Sequence, residues 1–340
     1  MRVAIVGASG FLGGELLRLL LGHPHATVVA AVSRRLPGRR VDGPHPHLRG
    51  QTGLRFCLPD DVPDCDVAVL ATPHGATAGL IETWRKRAEV VIDLSADLRL
   101  RSAEAYHHYY GAEHPHPELL GTAVAGWPER HRAELAGANL ISVPGCGANA
   151  AILALYPLAA EGLVEPTATV DARVGSSGSG HSAGFAGQHA VRSGAMRVFA
   201  PQGHRHEAEV AQATGLSVAM SATAVEAVRG VQVLCRARLH DAVDEVALHR
   251  LYRRHYGAEP FVRLVAHRRG VHRLPEPKML SGTNFCDVGF SLATDGRGVV
   301  VVAALDNLVK GGSGNAVQCL NIRAGWPERT GLEFGGLYPL

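Results

Sequence analysis

Cys146 is the residue of this chain whose type and position point most directly to chemistry. It follows the pair Pro144-Gly145, and apolar residues then recur at helical spacing over 150–156, so the sequence predicts a helix that begins at or just after the cysteine. The N–H groups at a helix N-terminus place about half a positive charge near such a thiol and favour the thiolate, the form that attacks carbonyl carbon. The alternative is a buried cysteine that only contributes to packing.

A second cluster of acid–base groups lies downstream, in the sequence Gly-His-Arg-His-Glu-Ala-Glu of residues 203–209. We expect an extended segment here, on which side chains two residues apart point to the same face, so His204 and His206 could both face a reacting thiol. Either imidazole could take the proton of Cys146 and return it later, and we favour His206. A zinc site would need a third ligand at suitable spacing, and because none is evident we predict no metal.

The turn between the first predicted strand, residues 2–6, and the first predicted helix, residues 12–21, is rich in glycine. Its spacing is Gly-x-x-Gly-x-x-Gly and not Gly-x-Gly-x-x-Gly, but the physical purpose is the same, because a tight turn lets a pyrophosphate approach a helix N-terminus closely. The sequence therefore predicts a dinucleotide site, with a purely structural turn as the alternative. The residues expected to contact the cofactor here are Gly7, Ser9, Gly10, Phe11, Leu12 and Gly13.

The end of the second predicted strand discriminates between the two nicotinamide cofactors. An NAD site usually carries an acidic residue about 20 positions after the glycine turn, where it binds a ribose hydroxyl. This chain has Ser33, Arg34 and Arg35 at that place and no carboxylate. A hydroxyl and two guanidinium groups suit a 2′-phosphate, so we predict NADP(H).

Strands and helices alternate up to about residue 145, and the predicted strands between them are continuously apolar. This pattern is typical of a parallel sheet covered on both faces. We therefore predict an α/β chain whose residues 1–145 form a Rossmann-type NADP-binding domain, completed by residues 306–340. Longer β-rich stretches separated by glycine-rich or charged loops follow the cysteine, and they indicate an α+β catalytic and oligomerisation domain over 146–305 with a mostly antiparallel sheet.

The composition restricts the classes of protein that remain. The chain has 340 residues, 46% of them hydrophobic and 19% charged, which is ordinary for a soluble globular protein of two domains. Its net charge of +3 gives no support to a nucleic-acid role, and no apolar run is long enough to predict a transmembrane helix. The first residues read as a strand and not as a signal peptide, and the six cysteines include no C-x-x-C pair, so we expect a cytoplasmic protein without disulfides.

Two glycine-rich segments could bind a ligand or could be simple connections between strands and helices. Residues 175–182 combine hydroxyl groups with flexible backbone and could hold an anion such as phosphate, and residues 306–315 could lie near the cofactor. Basic clusters are ordinarily solvated surface, although they could also receive an acidic partner. These clusters are Arg34 with Arg35, Arg39 with Arg40, Arg253 with Arg254, and Arg268 with Arg269.

Five motifs follow one another in an order that resembles a known family, at residues 7–13, 93–99, 144–146, 203–206 and 306–311. Together they are similar to the N-acetyl-γ-glutamyl-phosphate reductases and the wider semialdehyde dehydrogenase group, over essentially the whole chain. Three further segments, 114–120, 148–158 and 275–290, resemble the lysine-pathway branch. Enzymes of that branch reduce the phosphorylated side chain of aminoadipate or glutamate while its amino group is attached to LysW, a small acidic carrier protein.

The resemblance implies a mechanism and a set of site residues. Cys146 would attack an acyl phosphate and expel phosphate, NADPH would deliver hydride to the resulting thioester, and the thiohemiacetal would collapse to a semialdehyde. A homodimer or homotetramer and an acidic LysW-like carrier are also implied, and the basic clusters could dock that carrier. The implied contacts beyond the glycine turn are Ser177, Gly178 and Asn307 for the cofactor, and Arg99, Asn149, Ser179, His181 and Arg205 for the substrate.

The chain departs from the family pattern beside the nucleophile, where Gly147 stands in place of the usual Tyr or Asn. This departure leaves open a reductase that acts on free N-acetylglutamyl phosphate in the arginine pathway. A non-catalytic NADP-binding regulator is a further alternative, although it would have no need for Cys146 and a histidine pair. Slow labelling of Cys146 by a thiol reagent at neutral pH would favour that regulator.

Overall fold

The structure is a computed structural model that describes residues 1–181 and 184–339. Ser182, at the end of the glycine-rich segment 175–182, lies outside the described residues. The chain forms two compact units, one of Met1–Pro144 with Gly312–Glu333 and one of Gly145–Gly311 with Phe334–Leu340. The second unit also contains Gly145 and residues 306–311 and 334–339, all of which we expected in the first domain. Among the described residues, no helix is both long and apolar enough to cross a membrane.

The strands and helices are numbered along the chain. The strands are β1 (Arg2–Val6), β2 (Thr27–Val32), β3 (Phe56–Cys57), β4 (Val67–Leu70), β5 (Val90–Asp93), β6 (Val124–Ala125), β7 (Leu140–Ser142), β8 (Val164–Val174), β9 (Arg197–Ala200), β10 (Ser217–Ala224), β11 (Val231–Leu239), β12 (Val262–Leu264), β13 (Cys286–Leu292) and β14 (Gly298–Leu305). The α-helices are α1 (Phe11–Leu21), α2 (Ile81–Arg85), α3 (Ala103–Tyr110), α4 (Pro128–Leu135), α5 (Cys146–Ala160), α6 (His189–Arg192), α7 (His206–Thr214), α8 (Glu245–Tyr256) and α9 (Gly314–Arg323). A π-helix, Val309–Ser313, directly precedes α9.

The first unit is built on a sheet that, within the described residues, has seven strands in the order β3-β2-β1-β4-β5-β7-β6. All of its strand pairs are parallel. Its central strands are apolar along their length, and Ile5 and Ile92 have no exposed surface. Strands buried on both faces are what a parallel sheet between helix layers requires, so the predicted parallel sheet is confirmed.

The second unit is built on another sheet, which in the described part of the chain has seven strands in the order β12-β13-β14-β11-β8-β10-β9. Strand β11 pairs antiparallel with β8 and β14, and β13 and β9 add further antiparallel pairs. Among the described strands of this second sheet, only the pairs β8–β10 and β12–β13 are parallel. The predicted α+β unit with a mostly antiparallel sheet is therefore confirmed.

Helix α5 lies on this sheet and is buried along most of its length. Pro157 has no N–H to donate to the carbonyl of Leu153 four residues earlier, which would leave a buried acceptor without its helical bond. The hydroxyl of Tyr256 in α8 donates to that carbonyl, with an O···O distance of 2.8 Å. The hydroxyl of Tyr252 donates to the next carbonyl, that of Ala154, at 2.7 Å. Helix α8 thereby holds the helix that begins at Cys146.

Candidate active site

Cys146 is the first residue of α5, as the sequence predicts, and its side chain is half-buried. Gly145 has an extended backbone that directs the chain into the helix, with φ −64° and ψ 147°. Gly145 is the N-cap residue of α5 and has no side chain that could cap the helix. Its N–H donates to Oε2 of Glu209 in α7, at 2.8 Å. The start of the cysteine helix is thus bound to α7, and the first N–H groups of α5 lack partners within their own helix, as at any helix N-terminus.

A second contact fixes the other side of the helix start. A Cβ atom at Gly311, within the π-helix, would lie 2.5 Å from Cβ of Cys146, so only glycine allows the two backbones to approach this closely. Asn149, one turn after the cysteine, donates from Nδ2 to the carbonyl of Lys310 at 2.9 Å. The π-helix and the first turn of α5 are therefore held together around Cys146, an arrangement of the kind that π-helices often provide at functional sites.

His206 lies beside the cysteine helix. It is the first residue of α7 and it is buried, so our expectation of an extended segment at this position is wrong. A Cβ atom at Gly147 would lie 2.9 Å from Nδ1 of His206, which means that the imidazole is in contact with the residue after Cys146. The Nε2 atom of the same ring lies 4.0 Å from Oε1 of Glu209. The nucleophile candidate, an imidazole and a carboxylate are thus neighbours.

His204 has a different environment. Its Nδ1 accepts the backbone N–H of His206 at 3.3 Å, and the two imidazoles meet edge to face with their centroids 4.5 Å apart. Burial, together with the nearby Arg205 guanidinium, lowers the pKa of His204 to about 4. His204 is therefore neutral at pH 7, where it can accept the N–H that begins α7 but cannot give up a proton as an imidazolium.

The other predicted substrate contacts in the second unit fall into two groups. Asn149 is almost fully buried and its amide is bound to the Lys310 carbonyl, so it serves the helix start. Ser179 and His181 are exposed. Arg205 is partly exposed, and its Nε is buried without a hydrogen-bond partner among the described residues. A partly exposed guanidinium next to the histidine pair suits an anionic group of a substrate.

Two predicted cofactor contacts of the second unit, Ser177 and Asn307, lie together. The Asn307 side-chain Nδ2 donates to Oγ of Ser177 at 2.9 Å, and its Oδ1 accepts the Gly230 N–H at 2.7 Å. Both residues are buried, while Gly178 is exposed. Asn307 therefore fastens the glycine-rich segment after β8 to the end of β14.

The glycine turn of the first unit has the properties of a dinucleotide cradle. Gly7 has φ +81°, and a Cβ atom on it would lie 2.4 Å from the carbonyl oxygen of Ala71. A Cβ atom on Gly13 would lie 2.5 Å from Cα of Ala8, so both glycines are required by the fold of the turn. At Gly10 the nearest atom would be 3.5 Å away, so the protein itself does not demand glycine there. A pyrophosphate against the first turn of α1 would fit that space.

The residues predicted to hold a 2′-phosphate follow β2. The Ser33 hydroxyl donates to Oγ of Ser9 at 2.9 Å and is buried, which connects the end of β2 to the glycine turn. Arg34 and Arg35 follow it and are exposed. The turn that would carry the adenosine ribose is therefore cationic and open.

The Arg99 side chain binds main-chain carbonyls within the first unit. Its Nε donates to the carbonyl of Val143 and one terminal nitrogen donates to the carbonyl of Leu94, both at 2.9 Å. It therefore joins the ends of β5 and β7. Nearby, Asp93 is fully buried, and burial raises its pKa to about 6 although Ser95 donates two hydrogen bonds to its carboxylate.

Glu209 and Glu207 are not among the residues that the sequence predicts for the site. Both are buried, and Glu207 Oε1 accepts the N–H groups of Gly203 and Met220 at 3.0 and 2.7 Å. Glu209 connects Gly145 with His206, as described above. His206 and Glu209 are three positions apart, a spacing that places two side chains on the same face of a helix. Because we expected an extended segment here, this spacing did not indicate Glu209 as a neighbour of His206.

Both parts of the chain match models of one family. The NAD binding domain of semialdehyde dehydrogenase matches residues 2–138, and its dimerisation domain matches residues 146–307. LysW-L-2-aminoadipate 6-phosphate reductase of Deinococcus radiodurans is 45% identical over 340 residues, which cover 99% of this chain and 98% of that protein. A Thermomicrobium roseum protein to which the same activity is provisionally assigned is 47% identical over 348 residues, 99% of each chain.

Solved structures agree with this fold. Aspartate semialdehyde dehydrogenase II of Vibrio cholerae, complexed with ASA, has a TM-score of 0.71 at 16% identity and covers 95% of this chain and 98% of its own. Aspartate semialdehyde dehydrogenase of Candida albicans, solved with NADP, has a TM-score of 0.65 at 14% identity, with 94% and 97% covered. At such identities the likeness concerns the fold alone.

A parallel sheet with a dinucleotide cradle, followed by an α+β unit that presents a cysteine at a helix start, defines a nicotinamide-dependent oxidoreductase. More specifically, the chain belongs to the semialdehyde dehydrogenase family. The predicted family, fold class, oxidoreductase class and nicotinamide dinucleotide cofactor are thereby confirmed.

Proposed function

We propose that the protein uses NADPH to reduce an acyl phosphate to a semialdehyde, on aminoadipate or glutamate whose amino group is attached to an acidic LysW-type carrier protein. The observation that carries this proposal is the packing of His206 and Glu209 against Gly147 and Gly145, the two residues that flank Cys146 at the start of α5. The relatives of 45% and 47% identity support the choice of substrate, because they align over 99% of the chain.

The side chains act as follows in the proposed reaction. His206 accepts the thiol proton of Cys146, and the thiolate attacks the acyl carbon. The bond between that carbon and the phosphate oxygen breaks, phosphate leaves, and Cys146 carries a thioester. The N–H groups of the first turn of α5 stabilise the oxyanion that forms on attack. After reduction, the thiohemiacetal collapses to the semialdehyde, and the sulfur leaves as the thiolate.

The cofactor would be held by the glycine turn and by the cationic turn after β2. Gly7, Gly10 and Gly13, with Ser9, Phe11 and Leu12, would receive the pyrophosphate at the start of α1. Arg34 and Arg35, next to the Ser33 hydroxyl, would select the 2′-phosphate of NADP(H). Ser177, Gly178 and Asn307 would contact the nicotinamide half. When bound, NADPH supplies the hydride that reduces the thioester carbon.

The substrate would be held by Arg205 and by the exposed segment that carries Ser179 and His181. Arg205 would bind an anionic group of the substrate through its partly exposed guanidinium. Ser179 and His181 would provide further hydrogen bonds from an exposed segment. Asn149 and Arg99 would act indirectly, because their side chains already bind main-chain carbonyls.

The exposed side chains and the cysteines bear on the carrier, the oligomeric state and the cellular location. The carrier would dock on basic clusters, in which Arg34, Arg39 and Arg253 are exposed. Exposed Thr167 and Thr169 alternate with buried residues along β8, and a second copy of the chain would cover this side of the sheet to form a homodimer or homotetramer. No disulfide joins the six cysteines, all of which lie in the described part of the chain, and this is compatible with a cytoplasmic location.

The decisive experiment compares three substrates by the consumption of NADPH. Carrier-bound aminoadipyl phosphate and carrier-bound glutamyl phosphate should be reduced, and free N-acetylglutamyl phosphate should be reduced far more slowly. Cys146→Ser should lower kcat on the order of 10⁴-fold or more, because the thioester cannot form, while the Kd for NADPH stays unchanged.

Two outcomes would contradict the proposal. Preferential reduction of the free acetylated substrate would assign the enzyme to the arginine-type reaction. Full activity of Cys146→Ser would remove the cysteine from the mechanism.

A further inference from the structure

Gly147, the residue after the nucleophile, has its Cα against the imidazole of His206. A Cβ atom at this position would lie 2.9 Å from Nδ1 and 3.5 Å from Cε1 of the ring, and 3.2 Å from Cε of Met220. Heavy atoms in van der Waals contact are ordinarily about 3.5–4.0 Å apart. No side chain therefore fits at position 147 while the imidazole keeps its place.

Helix formation gives no reason for a glycine at this position. Gly147 is the second residue of α5, and alanine is a much better helix former than glycine. Its φ is not in the left-handed region, in contrast to Gly7, so the backbone conformation does not require glycine either. The close approach of His206 and Met220 is the feature that requires glycine at position 147.

Two further side chains pack near the imidazole. The His204 ring stands edge to face against it, with the centroids 4.5 Å apart, and Glu209 Oε1 lies 4.0 Å from its Nε2. Glu209 also binds the Gly145 N–H, so the carboxylate is fixed relative to the helix start. The ring consequently lies in a narrow slot between His204, Glu209 and the Cα atom of Gly147.

We infer that Gly147 is a positioning residue, whose missing side chain lets the His206 imidazole lie against the first turn of α5 beside Cys146. The inference rests on the proposed function only in taking Cys146 and His206 as the reacting pair. A larger residue would displace the ring and weaken proton exchange with the thiol. It would leave the glycine turn of the first unit unchanged.

The test uses Gly147→Ala and Gly147→Val in the full-length enzyme. With the carrier-bound acyl phosphate, kcat should fall on the order of 10²-fold for alanine, as expected for an ångström-scale misplacement of a catalytic group, and further for valine. KM for NADPH should not change. Iodoacetamide labelling of Cys146, followed by mass spectrometry as a function of pH, should show its midpoint moving towards that of an ordinary thiol, since a displaced imidazole no longer stabilises the thiolate.

A double-mutant cycle shows whether the effect passes through the histidine. The charged or titratable groups near the ring are His204, Arg205, Glu207 and Glu209, and all of them remain in every variant. Gly147→Ala should have no further effect on labelling in a His206→Ala background, because the ring that it displaces is gone. Equal effects of Gly147→Ala in both backgrounds would overturn the inference, and so would a wild-type labelling midpoint in Gly147→Ala itself.

Gly335→Ala is the matched control. Nothing among the described residues lies within 4 Å of a Cβ added there, and its φ is not in the left-handed region, so kcat and the labelling midpoint should stay at wild-type values. Labelling needs no substrate. If the wild-type enzyme reduces none of the acyl phosphates, the proposed function fails while the labelling cycle still decides the role of Gly147.

Discussion

The two histidines, two residues apart, differ because their surroundings differ. His204 is desolvated next to the Arg205 cation, which lowers its pKa to about 4, whereas His206 lies beside the Glu209 carboxylate. A base that serves a thiol near neutral pH must be able to gain and lose a proton in that range. The environment therefore favours His206 as the acid–base group and His204 as its support.

Replacing each histidine by asparagine should separate these roles. His206→Asn should lower kcat/KM by about 10²- to 10⁴-fold and remove an ionisation from the pH–rate profile, because a proton acceptor is lost. His204→Asn should cause a smaller loss and keep that ionisation, since His204 stays neutral above about pH 4. The measurement is kcat/KM from pH 5 to 9 for the three proteins.

Stability provides a check on His204 that does not depend on activity. Its folded-state pKa of about 4 lies below the ordinary value of 6.5, so between these values the unfolded chain binds the proton and the folded chain does not. The free energy of unfolding should therefore fall as the pH is lowered through this window. Urea unfolding at pH 7 and pH 5 should show a smaller loss in His204→Asn than in the wild type. An identical loss in both would mean that His204 is not held neutral.

At the scale of elements, the helix that begins at Cys146 depends on α8. Pro157 leaves the Leu153 carbonyl without a helical donor, and the hydroxyl of Tyr256 takes that place. The carbonyl of Ala154, in contrast, has the N–H of Leu158 available by ordinary helix geometry besides the hydroxyl of Tyr252. Two similar tyrosines should thus contribute unequally.

Tyr256→Phe should destabilise the protein by about 1–3 kcal/mol, because it leaves a buried carbonyl without a donor. Tyr252→Phe is the matched control and should cost about 1 kcal/mol or less, because its carbonyl keeps a helical partner. The free energy of unfolding from urea titration measures both. A larger cost for Tyr252→Phe than for Tyr256→Phe would contradict this account of α5.

At the scale of the whole molecule, the net charge is small, but the arginines are concentrated in a few clusters. The net charge is +3, but several arginines of the basic clusters already form ion pairs on the surface: Arg40 with Asp42, Arg254 with Glu161, and Arg268 with Glu245. Exposed pairs of this kind are weak and can be exchanged for others. Arginines such as Arg34 and Arg253 add exposed cationic surface.

Activity on a carrier-bound substrate should therefore depend on salt. Raising the ionic strength from about 0.05 to about 0.5 M shortens the range of charge interactions and should raise KM for the carrier-bound acyl phosphate several-fold, with kcat changed little. A chemically prepared acyl phosphate without the carrier is the control, and its KM should respond much less. Parallel responses of the two substrates would show that the carrier is not attracted by these clusters.

Local patterns in the sequence determined the fold class and the position of Cys146 at a helix start. Strands such as β1 and β2 end where their apolar runs end, and α5 begins at Cys146 because Pro144 and Gly145 stop the preceding strand. The glycine turn follows from the need for φ +81° and close backbone approach at Gly7. These features depend on neighbours within a few residues, so they can be read from the chain.

The arrangement around the thiol was decided only by the tertiary structure. Glu209 reaches Gly145 across 64 positions, and the slot for His206 depends on the missing side chain of Gly147. Tyr256 and the Leu153 carbonyl are 103 positions apart. Contacts at such separations arise from the packing of helices on a common sheet, which no local spacing encodes. For that reason the sequence predicts a histidine partner for Cys146, whereas the packing gives His206 and His204 different surroundings.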